Sequence, residues 1–158
     1  MISLTQKIAI VTGASGGIGH DIAERLAQEG ATVVVNYGKS ADKAKAVVAE
    51  IESQGGKALA LQADMSQVAD ARRLIRDTVQ RFGRLNILVN NAAISLNKPL
   101  VDTTEQEFDQ IFALNTKGPY FAMQEAAKGI GDGGRIVNRG HAPRLPRSDC
   151  LPRNEGGA

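Results

Sequence analysis

A doubly wound α/β fold, a parallel sheet with helices on both faces, follows from three features of the sequence. Short β-branched runs alternate with longer stretches whose apolar positions recur at helical spacing. The runs are almost continuously apolar, as strands buried on both faces of a parallel sheet must be. The first run breaks into a glycine-rich turn and resumes as a helical pattern, the βα step that builds right-handed crossovers.

The elements follow in order. Ile8 to Val11 is the first strand, and Ile18, Ile22 and Leu26 with Ala23 and Ala27 give a helix one apolar face that ends before Gly30. Thr32 to Tyr37, TVVVNY, is the second strand. Ser40 stands where it can cap the next helix, whose Ala44, Val47, Val48 and Ile51 share a face before Gly55 and Gly56 stop it. Lys57 to Gln62 is the third strand, and Val68, Ala71, Leu74, Ile75, Val79 and Phe82 mark a helix that ends at Gly83. Leu85 to Asn90 is the fourth. Thr104 and Glu107 form a capping-box pair that opens a helix through Phe108, Ile111, Phe112 and Leu114. A further helix runs from about Lys117 to Lys128, and Arg135 to Asn138 is the fifth strand, so the sheet has about five strands.

Composition narrows the function classes. A formal charge of +2 and a charged fraction of 23% over 158 residues argue against nucleic acid and anionic membranes as partners. One cysteine, Cys150, and two histidines provide neither a disulfide nor a metal cluster, which fits a reducing, cytoplasmic setting. MISLTQKIAIV carries no long apolar segment with a small-residue cleavage site, and no apolar run approaches membrane-spanning length. Residues 1–138 read as one domain. Residues 139–158, with three of the five prolines, four arginines and no periodicity, read as an irregular, disordered tail.

In open α/β sheets the ligand lies beyond the carboxyl ends of the strands. Glycines at 13, 16, 17 and 19 allow a sharp turn and a close backbone approach to a pyrophosphate at the following helix N-terminus. With its strand and helix, Thr12-Gly13-Ala14-Ser15-Gly16-Gly17-Ile18-Gly19 resembles the TGxxxGxG cofactor loop of the classical short-chain dehydrogenase/reductase (SDR) family, built on a Rossmann-type sheet. Asp64, after the third strand, matches the family acid that contacts adenine. Asn90-Asn91-Ala92-Ala93 resembles the NNAG motif, whose backbone lines the cofactor. Asn115, in ALNTKG, matches the asparagine that holds a water in the proton relay; the alternative for it is an amide satisfying backbone groups at a helix kink. The resemblance covers about Thr5 to Asn138, and VVVNYGKSA looks most like the 3-oxoacyl-carrier-protein reductase branch. It implies a cofactor site of Gly13, Ser15, Gly17, Ile18, Gly19, Asp64, Met65, Asn91, Ala92 and Ala93, with Asn115 catalytic and no metal. Two positions depart from the pattern: Ala93 replaces a usual glycine, and Asn86 an aspartate that braces the fourth strand.

Cofactor choice is read at the end of the second strand. An acid there would bond the ribose hydroxyls of NAD and repel a 2′-phosphate. Asn36-Tyr37-Gly38-Lys39-Ser40 has none, so NADP(H) is favoured over NAD(H), with Asn36, Lys39 and Ser40 as phosphate neighbours. The family's chemistry, hydride transfer between the nicotinamide and a small carbonyl or alcohol, uses a tyrosine as general acid or base. A lysine four residues later lies on the same helical face and lowers the tyrosine pKa. Here Tyr37 and Tyr120 are followed at that spacing by Ala41 and Gln124, and Arg139-Gly140-His141 stand where the substrate-binding serine is expected. Two readings follow: an NADP-dependent oxidoreductase by descent, or a non-catalytic dinucleotide-binding fragment. Truncation would leave an exposed sheet edge, which argues against the family's oligomer. Back-translated and shifted by one base, Cys150 to Ala158 permits Ala-Tyr-x-Ala-Thr-Lys-Gly-Ala, with tyrosine over Leu151 and lysine over Glu155. We therefore expect a frame change just after Asn138. Sequencing the coding DNA checks it: the frame one base out should encode Tyr and Lys at those two codons, and any other residues there refute the shift.

Overall fold

Residues 3–140 are described by the computed structural model; the expected tail, apart from its first two residues, lies outside them. Strands β1 (Ile8–Val11), β2 (Thr32–Tyr37), β3 (Lys57–Gln62), β4 (Leu85–Asn90) and β5 (Ile130–Asn138) form one sheet in the order β3-β2-β1-β4-β5. Every neighbouring pair is parallel. The strand order reverses between β1 and β4, which creates a crevice at their carboxyl ends.

Side chains alternate across the strands, so the two faces hold two cores. Ala9, Val11, Val33 and Val35 pack on Ala23 and Ala27 of α1 (Gly17–Gln28) and on Ala44, Val47 and Ile51 of α2 (Ala41–Ser53). Ile10, Val34 and Leu88 face the other way, onto Ala71, Leu74 and Ile75 of α3 (Val68–Phe82) and Ala122 and Ala126 of α5 (Gly118–Ala126). The continuous apolar runs thus have the physical cause that the sequence implies: both sides of each central strand are buried. Among the described residues no helix is long and apolar enough to cross a membrane.

Three local expectations change. The two helices expected around residues 105–128 are one continuous rod: α4 (Glu105–Phe112) passes through a π-helical stretch, Ala113–Lys117, directly into α5. Strand β5 begins at Ile130 rather than Arg135. Its glycine-rich start bulges, since pairing advances from Leu85 to Ile87 on β4 while β5 advances from Ile130 to Arg135. Ser40 occupies the N-cap position of α2, but its side chain makes no capping hydrogen bond.

The Thr104–Glu107 capping box forms as expected. The Glu107 amide donates to Thr104 Oγ1 at 3.3 Å, and the Thr104 amide donates to Glu107 Oε2 at 2.9 Å. Lys98 Nζ also donates to that carboxylate at 2.8 Å, and these bonds, Lys98's first, lower the Glu107 pKa to about 2.

The rod is seated by one close approach. A Cβ built on Gly118 would lie 1.8 Å from the Met65 carbonyl oxygen, so α5 reaches the loop after β3 only because residue 118 has no side chain. Gly118→Ala should force the helix and this loop apart and cost about 1–3 kcal/mol. Gly129→Ala, where a Cβ meets nothing within 4 Å, is the control. Urea unfolding of both variants measures the difference, and a Gly118→Ala midpoint equal to that of the control would refute this account of the packing.

Candidate functional site

The turn after β1 is tied to both of that strand's neighbours. The Thr12 amide donates to Val89 O at 3.0 Å, in line with the ladder, and the Ala14 amide donates to Asn36 O at 2.9 Å on the β2 side. The Thr12 hydroxyl, 1% exposed with its residue, accepts from the Asn91 amide at 2.9 Å and the Ala92 amide at 3.0 Å. Asn91 returns the bond: its Nδ2 donates to Thr12 O at 2.9 Å and Gly13 O at 3.3 Å. Gly19 closes the knot sterically, because a Cβ there would lie 2.5 Å from both Asn91 Nδ2 and Gly13 O.

Whether a phosphate fits this loop is tested by the start of α1. Its N-cap is Gly16, no side chain caps it, and its first turn holds no acidic residue. The amides of that turn have no partner within the helix. Gly16 and Gly17 are exposed, and a Cβ on either would meet nothing within 4 Å, so a ligand can reach the backbone. The arrangement fits a pyrophosphate held by backbone donors and the positive end of the helix.

Beside the loop lies a cleft of about 330 Å³, within the usual range for small-molecule sites. It gathers nine of the expected residues: Gly13, Ile18, Gly19, Asn36, Asp64, Met65, Asn91, Ala92 and Ala93. Ser15 and Gly17 belong to the same loop but do not line the cleft, and Lys39 and Ser40 are exposed beyond its rim. Gly38, Ala63, Leu114 and Arg139 line it without having been anticipated.

The polar groups divide into scaffold and site. Asn36, expected beside a phosphate, has other work. It is 1% exposed, its Oδ1 accepts from the Gly13 amide at 3.2 Å, and its Nδ2 donates toward Leu61 O and Ala63 O, each at 3.2 Å. Its donors are committed to the strand ends, so Asn36 shapes the loop while also lining the cleft. Asn86 keeps the bracing expected of an aspartate: Oδ1 accepts from the Ile8 amide at 2.9 Å. Asp64 accepts from the Ser66 amide at 2.9 Å and hydroxyl at 2.7 Å, which fixes the turn into α3. Its own amide donates to Asp70 Oδ2 at 2.9 Å, and that bond holds the Asp70 carboxyl below its usual range.

Asn115 sits within the π-helical stretch and lines a second cleft, of about 580 Å³, shared with Ile111, Phe112, Tyr120, Met123 and Arg139. Its amide spans the backbone of Ile94: Nδ2 donates to Ile94 O at 2.8 Å and Oδ1 accepts from Ile94 N–H at 2.9 Å. The asparagine thereby ties the helical rod to the loop after β4.

Comparison with known proteins agrees with this geometry. A family model described as short chain dehydrogenase matches residues 7–140. An uncharacterized oxidoreductase of Methylorubrum extorquens is 49% identical over 138 residues, covering 87% of this chain and 56% of its own. A crystal structure of a short chain dehydrogenase from Burkholderia cenocepacia in complex with NADP has a TM-score of 0.81 at 45% identity, over 84% of this chain and 54% of that one. A blue fluorescent protein from a metagenomic library, in complex with NADPH, has a TM-score of 0.81 at 38% identity, over 85% and 55%. The chain spans about half the length of the curated relatives it matches.

The Thr12 hydroxyl supplies a discriminating variant. Thr12→Val leaves one buried and one half-buried amide without an acceptor and should destabilise the protein by about 2–3 kcal/mol, whereas Thr12→Ser keeps the oxygen and most of the stability. Urea denaturation of the pair decides it, and equal midpoints would show that the hydroxyl is not what joins the strand ends.

Proposed function

The chain belongs to the short-chain dehydrogenase family, and from that premise we propose that it binds NADP(H) in the cleft at the β1–β4 crevice and, with no lysine four residues after either tyrosine, holds the cofactor without turnover. The uncapped α1 N-terminus, open to the cleft through Gly16 and Gly17, is the observation that carries the binding half of this reading.

Each part of the cofactor has counterparts. The amides at the start of α1 would hold the pyrophosphate, Asp64 and Met65 would border the adenine, and Asn91, Ala92 and Ala93 the central part. The preference for NADP(H) over NAD(H) is supported by the absence of an acid from Asn36 to Ser40 and by the exposed Lys39 and Ser40 beyond the rim. The solved relatives in complex with NADP and NADPH point the same way.

When bound, the reduced cofactor would supply hydride to a carbonyl carbon, and a tyrosine acting as general acid would speed the accompanying proton transfer. Tyr120 lines the second cleft, but Gln124, at the position where a lysine would lower its pKa, instead accepts from Arg72 Nη2 at 2.8 Å. Asn115 has both amide atoms engaged by Ile94, so it positions a loop and offers no acid. These residues support binding without proton transfer. A small carbonyl or alcohol substrate would be a partner only of an active form, and with a single cysteine in the chain a cytoplasmic setting is part of the proposal.

Fluorescence titration with NADPH and NADH at moderate salt, beside turnover assays on a panel of ketones, tests both halves. NADPH should bind about tenfold more tightly than NADH, Lys39→Ala should remove most of that difference, and no ketone should be reduced above background. Tighter binding of NADH overturns the cofactor preference; clear turnover overturns the non-catalytic reading.

A further inference from the structure

Arg139 stands at the junction of the two clefts and lines both. Its backbone is placed by the sheet: the Arg139 amide donates to Asn90 O at 3.0 Å, one step beyond the Asn90–Asn138 pair of the β4–β5 ladder. Its side chain is placed by the glycine loop, since Nη1 donates to Asn91 Oδ1 at 3.1 Å while Asn91 Nδ2 holds Thr12 O and Gly13 O. The guanidinium is thus two hydrogen bonds from the phosphate-cradling turn.

Two features make it more than a structural tie. A guanidinium has five N–H donors, and this half-buried one makes a single side-chain hydrogen bond among the described residues. Asp64 and Arg139 are the only charged side chains that line the first cleft among those residues, and Arg139 is the only one that lines the second. Without Arg139 the cleft proposed for a multiply charged anion would present one carboxylate and no cation. Lys39, at the end of β2, is exposed and is not among the residues that line the cleft.

We propose that Arg139 is an anion clamp of the dinucleotide site, its unused guanidinium donors binding the pyrophosphate oxygens from the β5 side while the α1 amides bind them from the other. The inference rests on the cofactor reading above and adds to it a charged ligand from a position that the sequence alone assigns to a disordered tail. An Arg–phosphate contact is charge-assisted and two-pronged, so its loss should be felt as affinity rather than as stability.

The test uses the full chain, with Arg139→Gln and Arg139→Lys. Glutamine retains a donor for Asn91 Oδ1 and removes the charge; lysine retains the charge and removes the fork. NADPH affinity should fall about tenfold or more in R139Q and partly recover in R139K, with the urea midpoint of R139Q close to that of the unsubstituted chain. Inorganic pyrophosphate should compete with NADPH on the unsubstituted chain and lose that competition in R139Q, while adenosine 2′-phosphate, which has no pyrophosphate, should bind both equally. NADPH affinity in R139Q within twofold of the unsubstituted chain overturns the clamp alone, as does an equal weakening of adenosine 2′-phosphate. Failure of the unsubstituted chain to bind NADPH overturns the cofactor reading and the clamp together.

Discussion

The Thr12 hydroxyl is the point on which the rest of the site depends. Neighbouring parallel strands leave the crevice between their carboxyl ends without ladder partners, and here those ends belong to residues 79 apart in the chain. The hydroxyl accepts both amides that turn the chain away from β4, and the Asn91 amide group answers by donating to the carbonyls that turn it away from β1. Buried amides left unmatched would cost on the order of 1–3 kcal/mol each. Gly19 lets α1 begin close against this knot, so its N-terminal amides are aimed by the same bonds that close the crevice.

The opposite wall is set by packing instead. The rod from Glu105 to Ala126 reaches the loop after β3 only where Gly118 lacks a Cβ, and this contact fixes Met65, which lines the cleft. The π-helical turn inside the rod brings Asn115 out toward Ile94. A π turn costs hydrogen-bond regularity and persists where tertiary contacts hold it. Here the contacts are the capping box at one end, the Gly118 seat at the other and the Asn115 bridge between them.

Features encoded locally were legible in the sequence. Four of the five strands and the starts of most helices are written in apolar runs and glycines, and the Thr104–Glu107 box is a short-range pattern that forms as written. Features that depend on distant partners were not. Arg135 marks where β5 resumes regular pairing, and the bulged stretch before it, containing Gly131, Gly133 and Gly134, has no strand signal. Asn36 looked like a ligand residue because it ends a strand at the right place, yet three backbone groups of other segments engage its amide. Arg139 was hidden by composition: it opens a proline- and arginine-rich stretch, and only the structure shows that its amide donates to Asn90 O at the end of the β4–β5 ladder.

That register bears on the charge balance of the proposed dinucleotide site. The proposed recognition of the dinucleotide would rest on backbone amides from residues 13–19 and on the ends of β1 and β4, all within the described residues. The family's tyrosine-lysine pair shares one helical face, and at that spacing Tyr37 and Tyr120 are followed by Ala41 and Gln124. A helix terminus contributes about half a charge, spread over several amides. Against an anion with two or more charges, and with Asp64 also lining the cleft, this would leave a deficit that the proposed Arg139 contact would offset. On the proposed reading, Arg139, which follows Asn138 where the family resemblance leads to a serine, would add a positive charge at the junction of the two clefts and so favour an anion there.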